Sequence, residues 1–180
     1  MKIKLLCFLV LLVVIGGCNK IKEATTINVS THLQTNIPVI VTSAGMKSFD
    51  LVALGNQITF NKTQDLTLAS NVDLAPYLDR VKAIDLNSLV VTITGLSAGQ
   101  TINSVTLNIT GVGDIFTQAD INSTNNSFIP VIASGILDQV GAKLTADRKI
   151  TITVSGNASG TMSFTVGLNI DTTVIVYTIS

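Results

Sequence analysis

TINSVTLNIT, residues 101–110, puts Val105, Leu107 and Ile109 on one side of the chain and Ser104, Thr106 and Asn108 on the other, with Ile102 adding to the apolar set. Successive side chains of an extended chain point to opposite faces, so this period of two predicts a strand with one buried face. β-branched residues, which pack well on a pleated surface, dominate it.

The same signal recurs on either side. On the N-terminal side, strands are expected at Thr26–Leu33, at Ile37–Thr42 with Pro38 near its start, at Ser48–Leu54, at Gln57–Phe60 after a Gly55-Asn56 turn, at Asp65–Ala69 and at Leu86–Thr94. On the C-terminal side they are expected at Phe128–Ile132, Lys149–Ser155, Thr161–Ile170 and Thr173–Ile179, the last three joined as hairpins at Gly156–Gly160 and Asp171-Thr172. Two helices interrupt the pattern. Ser70 and Asp73 read as a capping box for one over Asn71–Ala83, with Leu74, Leu78 and Val81 as its apolar stripe and Pro76 as an obstacle. Ser134 opens the other, with Leu137, Val140 and Leu144 buried and an end near Asp147. The fold expected is all-β: an antiparallel β-sandwich, Ig-like or a related Greek key, with two short helices. A faint echo links its halves, because Thr92–Gly95 and Thr153–Gly156 each follow a helical segment and precede a glycine-bounded loop.

The front of the chain decides its address. Lys2 and Lys4 precede an apolar run from Leu5 to Ile15. That is too short for the roughly 20 residues a spanning helix needs, and it has the flanks of a signal peptide. Ile15-Gly16-Gly17-Cys18 resembles a bacterial lipobox. The resemblance, confined to residues 1–18, implies a diacylglyceryl group on Cys18, palmitate among its acyl chains, and cleavage before it. It divides the chain into a lipoprotein signal peptide over 1–17, a lipidated tether over 18–25 and a β-sandwich over 26–180. The remainder is similar in style to small outer-membrane lipoproteins of Bacteroidota with sandwich domains. Asn19, where Asp would retain an enterobacterial lipoprotein in the inner membrane, points to the outer membrane. Lys20-Ile-Lys22-Glu23 is a weak version of a surface-export signal, and it leaves periplasmic side and cell surface both open.

Composition narrows the chemistry. Without Lys2 and Lys4 the mature chain carries nine basic and eleven acidic side chains, and it has no basic patch for nucleic acid. Cys7 leaves with the signal and Cys18 is the lipid site, so the mature fold has no disulfide and no thiolate ligand. His32 is the single histidine, on the polar face of the first strand, and Glu23 the single glutamate. A Ser-His-Asp triad has no other base to use. The ten aspartates fall mostly where turns explain them, among them Asp50, Asp114 and Asp171. Zinc has no Cys/His cluster; calcium finds Asp114, Asp120, Asn122 and Asn125 in one stretch, without EF-hand spacing. No cofactor or metal is expected, and no enzymatic activity. Asp171-Thr172-Thr173 resembles an O-glycosylation site of Bacteroidota, which would modify Thr172.

The functional expectation is a lipid-anchored, non-catalytic binding or structural module of the cell envelope, its partner a protein or a glycan. Gly111–Ser127 reads as the longest irregular connection, and long loops held by strands carry function. Phe116, Asp120, Asn122, Asn125 and Asn126 are its candidate binding residues. An alternative is a carrier whose apolar content, 47% of the chain, lines a cavity for an apolar ligand instead of filling a core.

Overall fold

The computed structural model describes residues 25–43 and 57–178. The expected signal peptide, the expected tether before Thr25 with Cys18, the strand expected at Ser48–Leu54 and the expected Gly55-Asn56 turn lie outside them. The described residues form eight strands: β1 (Thr26–Val41), β2 (Ile58–Thr67), β3 (Val81–Thr94), β4 (Thr101–Ile109), β5 (Gly113–Asn122), β6 (Ser127–Phe128), β7 (Lys149–Ala158) and β8 (Met162–Tyr177). One α-helix, α1 (Ser134–Asp147), lies between β6 and β7.

The strands pair antiparallel in two four-stranded sheets, ordered β1-β8-β3-β6 and β2-β7-β4-β5. The chain changes sheet at almost every connection, and that double Greek key is the eight-stranded jelly roll. The expected antiparallel Greek-key sandwich is therefore present, in its jelly-roll form and not the Ig-like one. The 159–161 connection corrects the expected hairpin, because β7 and β8 lie in different sheets. The pairing is also symmetric. Exchanging the sheets sends β1 to β5, β8 to β4, β3 to β7 and β6 to β2, and keeps every neighbour. The echoed segments Thr92–Gly95 and Thr153–Gly156 lie at the end of β3 and within β7, strands whose places in the order this exchange interchanges.

Several boundaries differ from the sequence reading. β1 runs unbroken through Gln34-Thr35-Asn36, and Pro38 sits inside it, exposed. That is tolerated because β1 is an edge strand, where a missing N–H faces no partner. β2 joins two expected strands. β8 passes straight through Asp171-Thr172 as the central strand between β1 and β3, so no turn exists there. The helix expected over Asn71–Ala83 is only a 3-10 segment, Ala75–Arg80, followed at once by β3. The segment has no side-chain cap, and Asn71, not Ser70, holds the turn before it: Asn71 Oδ1 accepts from the backbone N–H of Asp73 (2.9 Å) and of Leu74 (3.2 Å). The second helix has the expected limits, with Val140 and Leu144 buried, Leu137 half-buried and no side-chain cap from Ser134.

Alternation builds the core. β8 buries every second residue from Met162 to Val176, and β4 buries Ile102, Val105, Leu107 and Ile109 toward it from the other sheet. A T-shaped pair, Phe60 of β2 and Phe164 of β8, crosses between the sheets with centroids 5.3 Å apart. On the other flank Phe116 of β5 and Phe128 of β6 do the same at 5.7 Å. β6 covers only Val91 and Thr92 of β3. Helix α1 packs along much of the rest of that edge, and it approaches so closely that a Cβ on Gly141 would lie 2.2 Å from the Ile84 carbonyl oxygen.

Candidate functional site

The residues expected to bind a partner do not form an irregular loop. Gly113–Asn122 is strand β5, the outer strand of its sheet. Phe116 turns inward opposite Leu107, is half-buried and packs on the core with Phe128. Asp120 is exposed and takes a left-handed backbone, φ 57°, which breaks the regularity of an edge that would otherwise template another strand. Asn122 is committed to the turn that follows. Its Oδ1 accepts from Thr124 N (2.9 Å), Thr124 Oγ1 (2.7 Å) and Asn125 N (3.1 Å). Asn126 anchors the chain to β3 through its carbonyl, which accepts from Ile93 N at 2.7 Å. Asn125 is exposed. These side chains hold an edge and a turn together; they do not converge on a pocket.

Thr172 corrects the expected modification site. It is fully buried, facing the core from the middle of β8, and its hydroxyl donates to the Thr31 carbonyl at 3.0 Å. The folded domain has no room for a glycan there.

A concave site exists elsewhere, along β1. The loop from Ser70 to Asp73 folds over this edge strand and leaves a cleft of about 360 Å³ lined by Thr31, His32, Gln34, Ser70, Asn71 and Asp73, among others. The wall is fixed by hydrogen bonds. Asn71 Nδ2 donates to the His32 carbonyl (2.9 Å) and to Thr31 Oγ1 (3.1 Å), and Thr31 Oγ1 donates to Asp73 Oδ2 (2.9 Å). What it presents is imidazole, amide, hydroxyl and carboxylate, a set that hydrogen-bonds a polyhydroxyl or a peptide backbone. The sequence marked Asn71 and Asp73 only as helix-start residues, and the start signal was in fact the lid of this cleft.

His32 does not meet the geometry of a catalytic base. Its Nδ1 lies 3.8 Å from Asp171 Oδ1 on the open face of the sheet, with 61% and 41% of the two side chains exposed. Ser88 follows in the same cross-strand row, opposite Asp171 on β3. The carboxylate thus lies between base and hydroxyl, which sit two strand spacings apart, roughly 9.5 Å. A nucleophile must be within about 3 Å of its base. Among the described residues no three His, Cys, Asp or Glu side chains gather to hold a metal.

Two further features bear on function. The void enclosed by Leu86, Leu107, Ile115, Leu137, Ile152 and Leu168, with neighbouring apolar side chains, is about 20 Å³. A ligand pocket is typically ~300–1,000 Å³. The outward face of the β2-β7-β4-β5 sheet is polar and hydrogen-bonded to itself: Thr63 with Thr153 (3.1 Å), Thr106 with Thr117 (2.9 Å), Thr151 donating to Asp65 (2.7 Å). The Thr151 hydroxyl first, and then the Lys149 ammonium, hold the Asp65 carboxyl below the ordinary carboxylate range.

Strand order defines this chain as a jelly-roll domain. No protein-family model matches the sequence, and no curated protein sequence does. Among solved structures it is similar to a chain of turnip yellow mosaic virus (TM-score 0.37, 10% identity, 86% of this chain and 82% of that one). It is also similar to a chain of Desmodium yellow mottle tymovirus (TM-score 0.33, 12% identity, 88% and 92%). A third likeness is to TmCBM61, solved in complex with β-1,4-galactotriose (TM-score 0.30, 12% identity, 83% and 88%).

Proposed function

We propose that this protein is a lipid-anchored, non-catalytic module of the cell envelope, held on the outer membrane through Cys18 and binding a protein or glycan partner with its jelly-roll domain. The observation that carries the reading is the Ile15–Cys18 lipobox, placed seven residues before a domain whose first strand begins at Thr26. A diacylglyceryl cysteine holds a domain on a bilayer because two acyl chains bind firmly where one binds marginally, at about 0.8 kcal/mol per buried methylene. The cleft beside His32 is the candidate contact for the partner. The filled core, with a void of only about 20 Å³ between the sheets, supports a module over a carrier whose cavity would replace that core.

Metabolic labelling tests the anchor. In a diderm bacterium expressing the full chain, labelled palmitate enters the protein and the protein sediments with membranes. Cys18→Ala abolishes the label and moves the protein to the soluble fraction. Retention of Cys18→Ala in the membrane fraction overturns the reading.

A further inference from the structure

We propose that the end of the domain from which the tether leaves is a membrane-apposed surface, which sets the jelly roll down on the bilayer instead of letting it swing on its lipid. The inference rests on the lipid anchor proposed above and adds an orientation to it.

Thr25 is the root of the tether, and it is fastened to the body. Its carbonyl accepts from both Thr178 N (2.8 Å) and Thr178 Oγ1 (2.7 Å). Arg80 in turn donates to the Thr178 carbonyl at 3.4 Å and to the Pro76 carbonyl at 3.2 Å. Six residues, 19–24, lie between Cys18 and Thr25, and an extended chain spans at most about 3.6 Å per residue, so this end stays within about 25 Å of the headgroups.

What surrounds the root suits a lipid interface. Tyr177 is 44% exposed and Ile27 42% exposed, both at the open end of their strands. Lys82 lies over the Tyr177 ring, 5.6 Å from its centroid, and Arg80 over the Tyr77 ring at 5.5 Å. The ion pairs among the described residues are His32–Asp171, Lys143–Asp147 and Lys149–Asp65, so these two cations are held by aromatic faces and not by carboxylates. In sequence, Lys20, Lys22 and Glu23 precede the root, and Asp79 is the exposed carboxylate next to Arg80. Tyrosine rings with a polar tip settle at the headgroup level, and each Lys or Arg near an anionic surface strengthens attachment roughly fivefold. Neither His32 nor the β1 cleft is part of this end, so apposition leaves the candidate site free.

The chain contains no tryptophan, which makes a single introduced one a clean depth probe. The full chain is expressed as Tyr177→Trp, processed by the cell, purified from membranes in detergent and reconstituted in phosphatidylethanolamine/phosphatidylglycerol vesicles with or without acyl-brominated phosphatidylcholine. Thr26→Trp, an exposed position opposite Tyr177 in the β1–β8 register, is a second probe should the first disturb folding. Ala98→Trp, in the loop after β3 at the far end of the sixteen-residue β8, is the control, roughly 50 Å away. Emission from the two root probes shifts to the blue and is quenched by brominated lipid, while that of the control does neither. Adding Arg80→Gln and Lys82→Gln reverses most of the quenching although the protein still floats with the vesicles. Root probes that stay unquenched on floating protein overturn the apposition and leave the anchor standing. Protein that fails to float overturns both.

Discussion

The jelly roll closes its two flanks in different ways. At one, β1 and β2 are long edge strands, 16 and 10 residues, with the Phe60–Phe164 pair buried between the sheets. At the other, β5 faces a β6 of only two residues, the Phe116–Phe128 pair is half-exposed, and helix α1 packs along β3 below it. The exchange of sheets that maps β2 onto β6 shows these flanks to be topological equivalents. A strand in one place thus corresponds to a stub plus a helix in the other. The lesson is physical: an edge has to be covered and its apolar side chains buried, and hydrogen-bonded strand pairing is one means to that end, helix packing another.

The largest expected difference between the flanks lies in their aromatic pairs. Phe164→Ala removes a fully enclosed ring from the central strand and costs about 3–5 kcal/mol, the usual range for a core aromatic. Phe128→Ala empties a half-exposed position and costs about half as much, because water already reaches part of the ring. Urea denaturation of both variants measures the contrast. Equal losses would show the β5–β6 flank to be as much core as its counterpart.

Next comes the helix. Gly141→Ala places a methyl group 2.2 Å from the Ile84 carbonyl oxygen, so α1 must retreat from β3, at an expected cost of about 1–3 kcal/mol. Gly135→Ala, in the same helix with nothing within 4 Å of its Cβ, is expected to stabilise by up to ~1 kcal/mol through backbone entropy. Opposite signs for two identical substitutions in one helix test whether its close approach matters. If Gly141→Ala also stabilises, α1 is a loose cover and not a replacement for a strand.

How much of this was legible in the sequence follows from where alternation survives. β4 and the halves of β1 and β8 announce themselves because nothing disturbs their period of two. In the sequence β1 and β8 each read as two strands, divided at Gln34–Asn36 and at Asp171-Thr172, where polar residues imitate a turn. Thr172 lies on the buried face, its hydroxyl satisfied by a neighbouring carbonyl, so polarity there reports a hydrogen bond and not an exit from the sheet. β5 resembles a loop in the sequence for a different reason. The register shift at Leu107/Asn108 leaves Ile115 and Phe116, adjacent in sequence, both turned toward the core, and Asp120 breaks the phase again. Two irregularities in ten residues erase a periodicity signal. The candidate binding residues come from that same stretch. The cleft beside His32 was hidden because its wall comes from a loop 40 residues away, a contact no local pattern encodes.

The smallest expected effect is a pH dependence confined to the strand-closed flank. Asp65 of β2 accepts from Thr151 (2.7 Å) and Lys149 (3.2 Å) of β7, and these partners hold its carboxyl below the ordinary range. Because folding lowers its pKa, the folded state binds the ionised form preferentially. The stabilisation is complete above the unfolded pKa of about 4, and it is lost as pH falls through the lower folded value. Wild type therefore exceeds Asp65→Asn in stability by a constant amount between about pH 5 and pH 7, and the gap closes below about pH 4. The carboxylate is solvent-exposed, so the gap is small, and salt narrows it. Parallel urea titrations along this pH range read it directly. A gap that persists undiminished to about pH 2 would mean that Asp65 acts through its shape and hydrogen bonds alone, with ionisation playing no part.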